Sequence, residues 1–136
     1  MLSKTLSLMF IAIGTGASTA SATDAPSINS EITGRVVRVI DGDSFVIEGV
    51  SSEIRLWGLD APEWNEAGGP EATAALTALA NRRMVSCLRL YWDKHARIIA
   101  RCTLQDGRDI VREMITMGVA REYCSFSQNY YETCSP

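Results

Sequence analysis

Residues 33–63 read Thr-Gly-Arg-Val-Val-Arg-Val-Ile-Asp-Gly-Asp-Ser-Phe-Val-Ile-Glu-Gly-Val-Ser-Ser-Glu-Ile-Arg-Leu-Trp-Gly-Leu-Asp-Ala-Pro-Glu, and this stretch decides the fold. Thr33 to Ile40 is rich in β-branched residues, whose stiff side chains suit a pleated surface. Asp41-Gly42 follows as a turn signal. Ser44 to Val50 and Glu53 to Leu59 read as two more strands, joined by a Ser-Ser turn. Arg55 and Asp60 are five positions apart, so a regular strand would point them to opposite faces. Gly58 lies between them, where a strand can kink and bring both to one site. Pro62 then fixes the exit of the chain and the direction of Glu63.

Working outward, Gly68-Gly69-Pro70 breaks the chain and opens a helix expected to run to about Arg83. Met84 to Trp92 and Arg97 to Leu104 are the fourth and fifth strands. Asp106-Gly107 turns the chain into a second helix, with Ile110, Val111, Met114 and Ile115 on one apolar face and Gly118 as its stop. Strands and helices in this order predict an α+β fold: a five-stranded OB-fold β-barrel with two main helices.

The whole chain of 136 residues is 46% hydrophobic, which suffices for one domain with one core and excludes intrinsic disorder. Its 13 basic and 16 acidic side chains give a formal charge of −3, which argues against a non-specific nucleic-acid coat. Met1 to Lys4 is a cationic start, Leu6 to Ala17 an apolar stretch, and Ala20-Ser21-Ala22 a small-x-small cleavage pattern. The apolar stretch is short of the ~20 residues of a membrane anchor. Residues 1–22 are therefore expected to be a cleaved signal peptide and 23–31 a flexible segment. Residues 32–123 form the domain and 124–136 a disulfide-closed tail. The expectation is an exported protein, secreted or periplasmic, monomeric, with no stable membrane association after cleavage.

Export gives the four cysteines an oxidising setting, with three possible pairings. Cys87 and Cys102 lie equally far from a point between Lys94 and His95, so a hairpin there sets them face to face. Cys124 and Cys134 then close a loop in the tail. These pairings rank ahead of the others. A single histidine and no C-x-x-C argue against a zinc site.

Among the charged residues, Asp43 and Asp60 offer hard oxygen ligands of the kind Ca²⁺ takes. Glu63 is placed to orient an attacking water or accept its proton. Arg55 and Arg97 supply planar, permanently charged forks that match phosphate oxygens. Taken singly, each is an ordinary solvated charge at a turn or strand edge. Spacing alone leaves a phosphate-cleaving metal site as one reading among several.

Val39-Ile40-Asp41-Gly42-Asp43-Ser44 and Ile54-Arg55-Leu56-Trp57-Gly58-Leu59-Asp60-Ala61-Pro62-Glu63 together resemble the signature of the staphylococcal-type nuclease (thermonuclease) family. Gly69-Pro70-Glu71-Ala72 is similar to the start of that family's first helix, and Asp93-Lys94-His95-Ala96-Arg97 to its Asp-x-Tyr-Gly-Arg segment. The resemblance covers roughly residues 33 to 123. It implies the OB barrel, Ca²⁺ held by Asp43, Asp60 and the backbone carbonyl of Ala61, and Asp41 as a turn-former. It further implies Glu63 acting on the water and Arg55 and Arg97 bracing the transition-state charge. The implied activity is hydrolysis of DNA and RNA, single strands included, to 3′-phosphate ends.

Some positions depart from the family pattern. His95 and Ala96 replace an aromatic residue and a glycine, and the loop Trp64-Asn65-Glu66-Ala67-Gly68 carries no basic residue. Lys94, His95 and Trp64 are the candidate substrate contacts, with an exposed turn histidine and a loop-packing tryptophan as their plainer readings. The pocket tyrosines of the family have no clean match around Tyr123 to Phe126. Two alternatives stay open: a nuclease-like nucleic-acid-binding module of weak activity, and a hydrolase or binder of a smaller phosphorylated ligand.

Overall fold

The computed structural model describes residues 29–136 together with Gly14 and Gly16. The expected signal peptide and most of the 23–31 segment lie outside the described residues. Residues 29–31, expected to belong to a flexible segment, are tied down instead. Asn29 N donates to Arg89 O (3.1 Å), Arg89 N donates to Ser30 O (3.0 Å), and strand β1 begins at Glu31.

β1 (Glu31–Asp41) is long enough to serve two neighbours. Its first half pairs antiparallel with β5 (Met84–Trp92), and its second half with β2 (Ser44–Ile47). Register shifts between Val36 and Arg38 and between Val39 and Asp41 bend the strand, as bulges do where a sheet must curl. β3 (Ile54–Leu56) pairs antiparallel with β2 and parallel with β6 (Ile98–Leu104), and β6 pairs with β5. The order β1-β2-β3-β6-β5 closes into the expected five-stranded barrel.

The expected third strand, Glu53 to Leu59, divides in two. Gly58 at φ +77° ends β3 and turns the chain into β4 (Leu59–Asp60), which pairs with β7 (Arg121–Glu122) in a separate ribbon. The kink falls where Arg55 and Asp60 required one. Helix α1 (Gly69–Ala80) buries Ala72, Leu76 and Ala80 at a spacing of four, one face of a helix. It stops short of Arg83 because Asn81 is extended and Arg82 sits at φ +63°. Helix α2 (Ile110–Thr116) is capped by Asp109, whose carboxylate accepts from Arg112 N at 3.0 Å, and buries Ile110, Val111 and Met114. A single-turn α3 (Cys124–Ser127) adds to the two main helices.

Val36, Phe45, Ile54, Leu56 and Leu76 are among the fully buried side chains of one core. Cys87 and Cys102 are register partners on β5 and β6 and form a disulfide inside it. Cys124 and Cys134 form the second disulfide, which closes the tail. Both pairings are those the sequence ranked first.

The tail is part of the fold rather than an appendage. Tyr131 is 2% exposed and packs against Trp57 and Tyr130. A Cβ on Gly58 would come within 3.2 Å of the Tyr131 ring, so the kink also makes room for that ring. The Glu122 carboxylate organises this region from a buried position. It accepts hydrogen bonds from Ser127 Oγ (2.5 Å), Tyr131 N (3.0 Å), Thr133 N (3.0 Å) and Thr133 Oγ1 (2.8 Å). Burial alone would raise its pKa, but the Ser127 hydroxyl, the Tyr131 and Thr133 amides and the Thr133 hydroxyl bring it down to about 2.

A depressed carboxylate contributes stability above its unfolded pKa and loses it as pH falls through the folded one. The contribution of Glu122 is therefore full above the ordinary value of 4.5 and is lost between there and about 2. Glu122→Gln should lower stability at neutral pH by roughly 2 kcal/mol, the scale of charged hydrogen bonds, and flatten the loss of stability below pH 4.5. Urea titrations of both proteins across that range check this. In the turn between β5 and β6, Ala96 is held at φ +58°, a left-handed conformation that costs a non-glycine residue ~1 kcal/mol. Ala96→Gly should recover roughly that amount in the same titrations.

Candidate active site

The turn between β1 and β2 starts the site. Asp41 Oδ1 accepts from Asp43 N (3.1 Å) and Ser44 Oγ (2.7 Å), an Asx-type turn that aims Asp43 away from the strand ladder. Gly42 lets this turn press close to its neighbours. A Cβ there would lie 2.7 Å from the Cβ atoms of both Ala61 and Ala72. That approach sets Asp43 Oδ2 3.4 Å from Ala61 N, which donates to it, and so joins the two sequence motifs.

Arg55 reaches the same carboxylate from β3, where it is the register partner of Ser44. Its Nη1 lies 2.5 Å from Asp43 Oδ2. The angle is poor for a hydrogen bond, so this is a charge contact and the buried Nη1 has no well-directed acceptor. Burial pushes Asp43 up to about 7. Arg55 attracts and lowers it, whereas the neighbouring Asp41 charge raises it again. A buried carboxylate so incompletely compensated suits a further cation.

Arg97 comes from the start of β6 and is held by the turn before it. Asp93 Oδ1 accepts from His95 N (2.8 Å) and Arg97 N (3.0 Å), while Asp93 Oδ2 accepts from Arg97 Nε (2.8 Å). Partial burial disfavours the charge of Arg97, but the hydrogen bond and charge of Asp93 and the fields of Glu53 and Asp43 raise its pKa further. Arg97 is a permanent cation facing the Asp43 carboxylate. Its terminal nitrogens are not used by Asp93.

The remaining candidates divide. Asp60 follows the Gly58 kink, and its Oδ2 accepts from Nε of the well-exposed Arg121 at 2.9 Å. It lines a groove of about 400 Å³ with Ala61 and Glu66, separate from the arginine groove. Glu63 is exposed on the loop after β4. Its N donates to Glu66 Oε2 (3.0 Å) and its O accepts from Glu66 N (2.9 Å), so the short loop folds on itself. Trp64 is 70% exposed and lines neither groove. Lys94 and His95 do line the groove of about 340 Å³ that holds Arg55 and Arg97.

Sequence reasoning missed three aromatic residues of that groove. Tyr91, Tyr123 and Phe126 line it, and the Tyr123 and Phe126 rings lie 4.6 Å apart. The pairing of β4 with β7 and the bond from Tyr123 N to Gly58 O (2.7 Å) bring α3 to this wall. An exposed Tyr-x-x-Phe spacing was the available signal. Of the expected metal ligands, Asp43 and Ala61 meet through the Ala61 amide, while Asp60 is taken by Arg121; the under-compensated Asp43 carboxylate is the oxygen ligand that suits a hard divalent cation.

Comparison with known proteins identifies the family. The family described as "Staphylococcal nuclease homologue" matches residues 53–135. An "Uncharacterized endonuclease" of Escherichia coli is 33% identical over 102 residues, covering 72% of this chain and 65% of its own. An "Uncharacterized endonuclease" of Haemophilus influenzae is 32% identical over 100 residues, covering 71% of this chain and 56% of its own. "Protein ParB" of Escherichia coli is 35% identical over 72 residues, 52% of this chain and 41% of its own. The chain thus spans less than two thirds of the length of each of these curated relatives. With the family matched over more than half its residues, on a closed five-stranded barrel that carries the two arginines and Asp43 together, the chain belongs to the staphylococcal nuclease homologue family.

Proposed function

We propose that this protein is an exported, Ca²⁺-dependent nuclease that hydrolyses phosphodiester bonds of DNA and RNA and leaves 3′-phosphate ends. The observation that carries the reading is the convergence of Arg55 and Arg97 on one groove walled by aromatic rings, with the buried Asp43 carboxylate 2.5 Å from Arg55 Nη1. The names of the relatives support nuclease activity. The leader-like residues 1–22 support export, and no helix among the described residues is long and apolar enough to cross a membrane.

Each residue has a role set by its chemistry. A phosphodiester is anionic and repels nucleophiles, so fixed positive charge must offset it. Arg97, clamped by Asp93, presents its free guanidinium edge to a phosphate oxygen. Arg55 turns its unsatisfied Nη1 to the same group and strengthens that contact as charge builds. Glu63, an exposed carboxylate on the loop after β4, takes the proton of the attacking water. Tyr123 and Phe126 stack on a base, which any base permits, while Lys94 and His95 meet the neighbouring phosphate. Asp43, Asp60 and the Ala61 carbonyl would hold Ca²⁺. When bound, it supplies charge that polarises the phosphoryl group. The surface ion pair of Asp60 with Arg121 is weak enough to yield to a divalent ion.

Cleavage of single-stranded DNA should require Ca²⁺ and stop on addition of a chelator. Glu63→Gln and Arg97→Ala should each lower the rate at least ~10²-fold, as loss of one positioned group does, with thermal melting unchanged. Near-normal hydrolysis by either folded variant would overturn the assignment. Tyr123→Ala should act differently, raising KM about 10-fold through loss of stacking with a smaller change in kcat. Steady-state kinetics on a labelled oligonucleotide separates the two effects.

A further inference from the structure

Most arginines among the described residues are engaged: Arg55, Arg97, Arg108 and Arg121 meet carboxylates, and Arg101 and Arg112 lie over tyrosine rings. Arg35, Arg82 and Arg83 have no carboxylate partner among these residues, and they converge. Arg82 N donates to Val36 O (2.8 Å) and Val36 N donates to Arg83 O (2.9 Å), which laces the turn after α1 to β1. Arg35 Nη1 donates to Arg82 O (2.8 Å) and is thereby fixed across the turn. The three line a groove of about 630 Å³. Its one acidic lining residue, Asp106, is already taken by Arg108 at 2.9 Å.

Compensation of the α1 dipole does not account for this cluster. Arg82 and Arg83 lie beyond the Asn81 cap, and Arg35 comes from another element. Arg82 moreover occupies a left-handed backbone position, φ +63°, where glycine or asparagine would fit without strain. Three guanidinium groups around one concavity repel one another and focus a positive field, a state that a polyanion relieves. The position of the groove gives the ligand its form. β6 runs from Ile98, beside Arg97, to Leu104, which lines this groove, and β5 runs back from Met84 to Trp92. At ~3.3 Å per residue the two cationic sites stand roughly 20 Å apart, at opposite ends of one hairpin. A chain of phosphates spans that separation, whereas a single phosphate does not.

We propose that Arg35, Arg82 and Arg83 form a second phosphate-backbone site that holds a nucleic-acid strand away from the bond being cut. The proposal rests on the nuclease reading for the identity of its ligand. It gives this acidic protein a purchase on polymers that its lysine-poor loop 64–68 does not supply.

The test compares the wild type with R35Q/R82Q/R83Q on a single-stranded DNA of roughly 16 nucleotides and on a dinucleotide too short to reach the groove. Three single-strand phosphate contacts contribute a salt slope of about 2, so between about 50 and 200 mM salt wild-type kcat/KM on the long substrate should fall roughly 20-fold more than that of the variant. On the dinucleotide the two should coincide, and R35K/R82K/R83K should restore the wild-type slope. Equal slopes on the long substrate, or equal losses on both substrates, would overturn the site. R83Q alone, expected to reduce the difference to about 3-fold, serves if the triple variant does not fold. If the wild type cleaves neither substrate, the nuclease reading fails by itself. Anisotropy of the labelled oligonucleotide then tests the groove, with equal binding by wild type and R83Q counting against it.

Discussion

Closure of the barrel rests on the parallel pairing of β3 with β6. Every other strand contact here is antiparallel; β1–β2, β2–β3 and β5–β6 join neighbours along the chain, while β1–β5 and β4–β7 join distant segments. The β3–β6 pairing is different in being parallel: Ile54, Arg55 and Leu56 meet Ile98, Ile99 and Ala100 and so join the two halves of the sheet. Without it the sheet has two open edges, and the inward faces of Phe45, Ile54 and Ala100 have no common interior to fill. With it, Arg55 and the segment that opens with Arg97 come to one end of the barrel. The step that completes the core therefore also assembles the candidate site.

At that end the charges are matched incompletely. Asp43 is buried beside a single misaligned guanidinium, so its carboxylate is short of positive charge. Arg55 correspondingly keeps a buried nitrogen without a directed acceptor. Arg97 differs in being rigidly clamped through Asp93, which costs it no freedom when a phosphate arrives. An overall charge of −3 says little about such a site, since cleavage depends on the local field at one phosphate. The proposed second phosphate site, the arginine groove, lies at the far end of the β5–β6 hairpin.

The tail shows a second way in which distant sequence is made to cooperate. Glu122 collects four hydrogen bonds from Ser127, Tyr131 and Thr133, and the Cys124–Cys134 disulfide closes the same loop. This seats Tyr131 over Gly58 and leaves Tyr123 and Phe126 facing the groove. A terminal segment that looks like an appendage thus packs against the barrel and adds Phe126, beside Tyr123, to the wall of the groove that holds Arg55 and Arg97.

Much of this was legible in the chain. Asp41-Gly42-Asp43 and Ile54 to Glu63 carry turn, strand and kink signals in their own residue types, so the barrel strands, the bend at Gly58 and both disulfides could be read from local pattern. Strand ends were harder to read. Val50 and Leu59 have strand-like side chains, but β2 ends at Ile47 before the left-handed Gly49, and the left-handed Gly58 parts β3 from Leu59, which pairs with β7 instead. Alternation and turn chemistry depend only on near neighbours, and the sequence by itself determined them. Which distant groups meet depends on how the sheet closes and how the tail packs. The Asp43–Arg55 contact, the capture of Asp60 by Arg121, the Glu122 centre and the aromatic wall were therefore decided only by the tertiary structure.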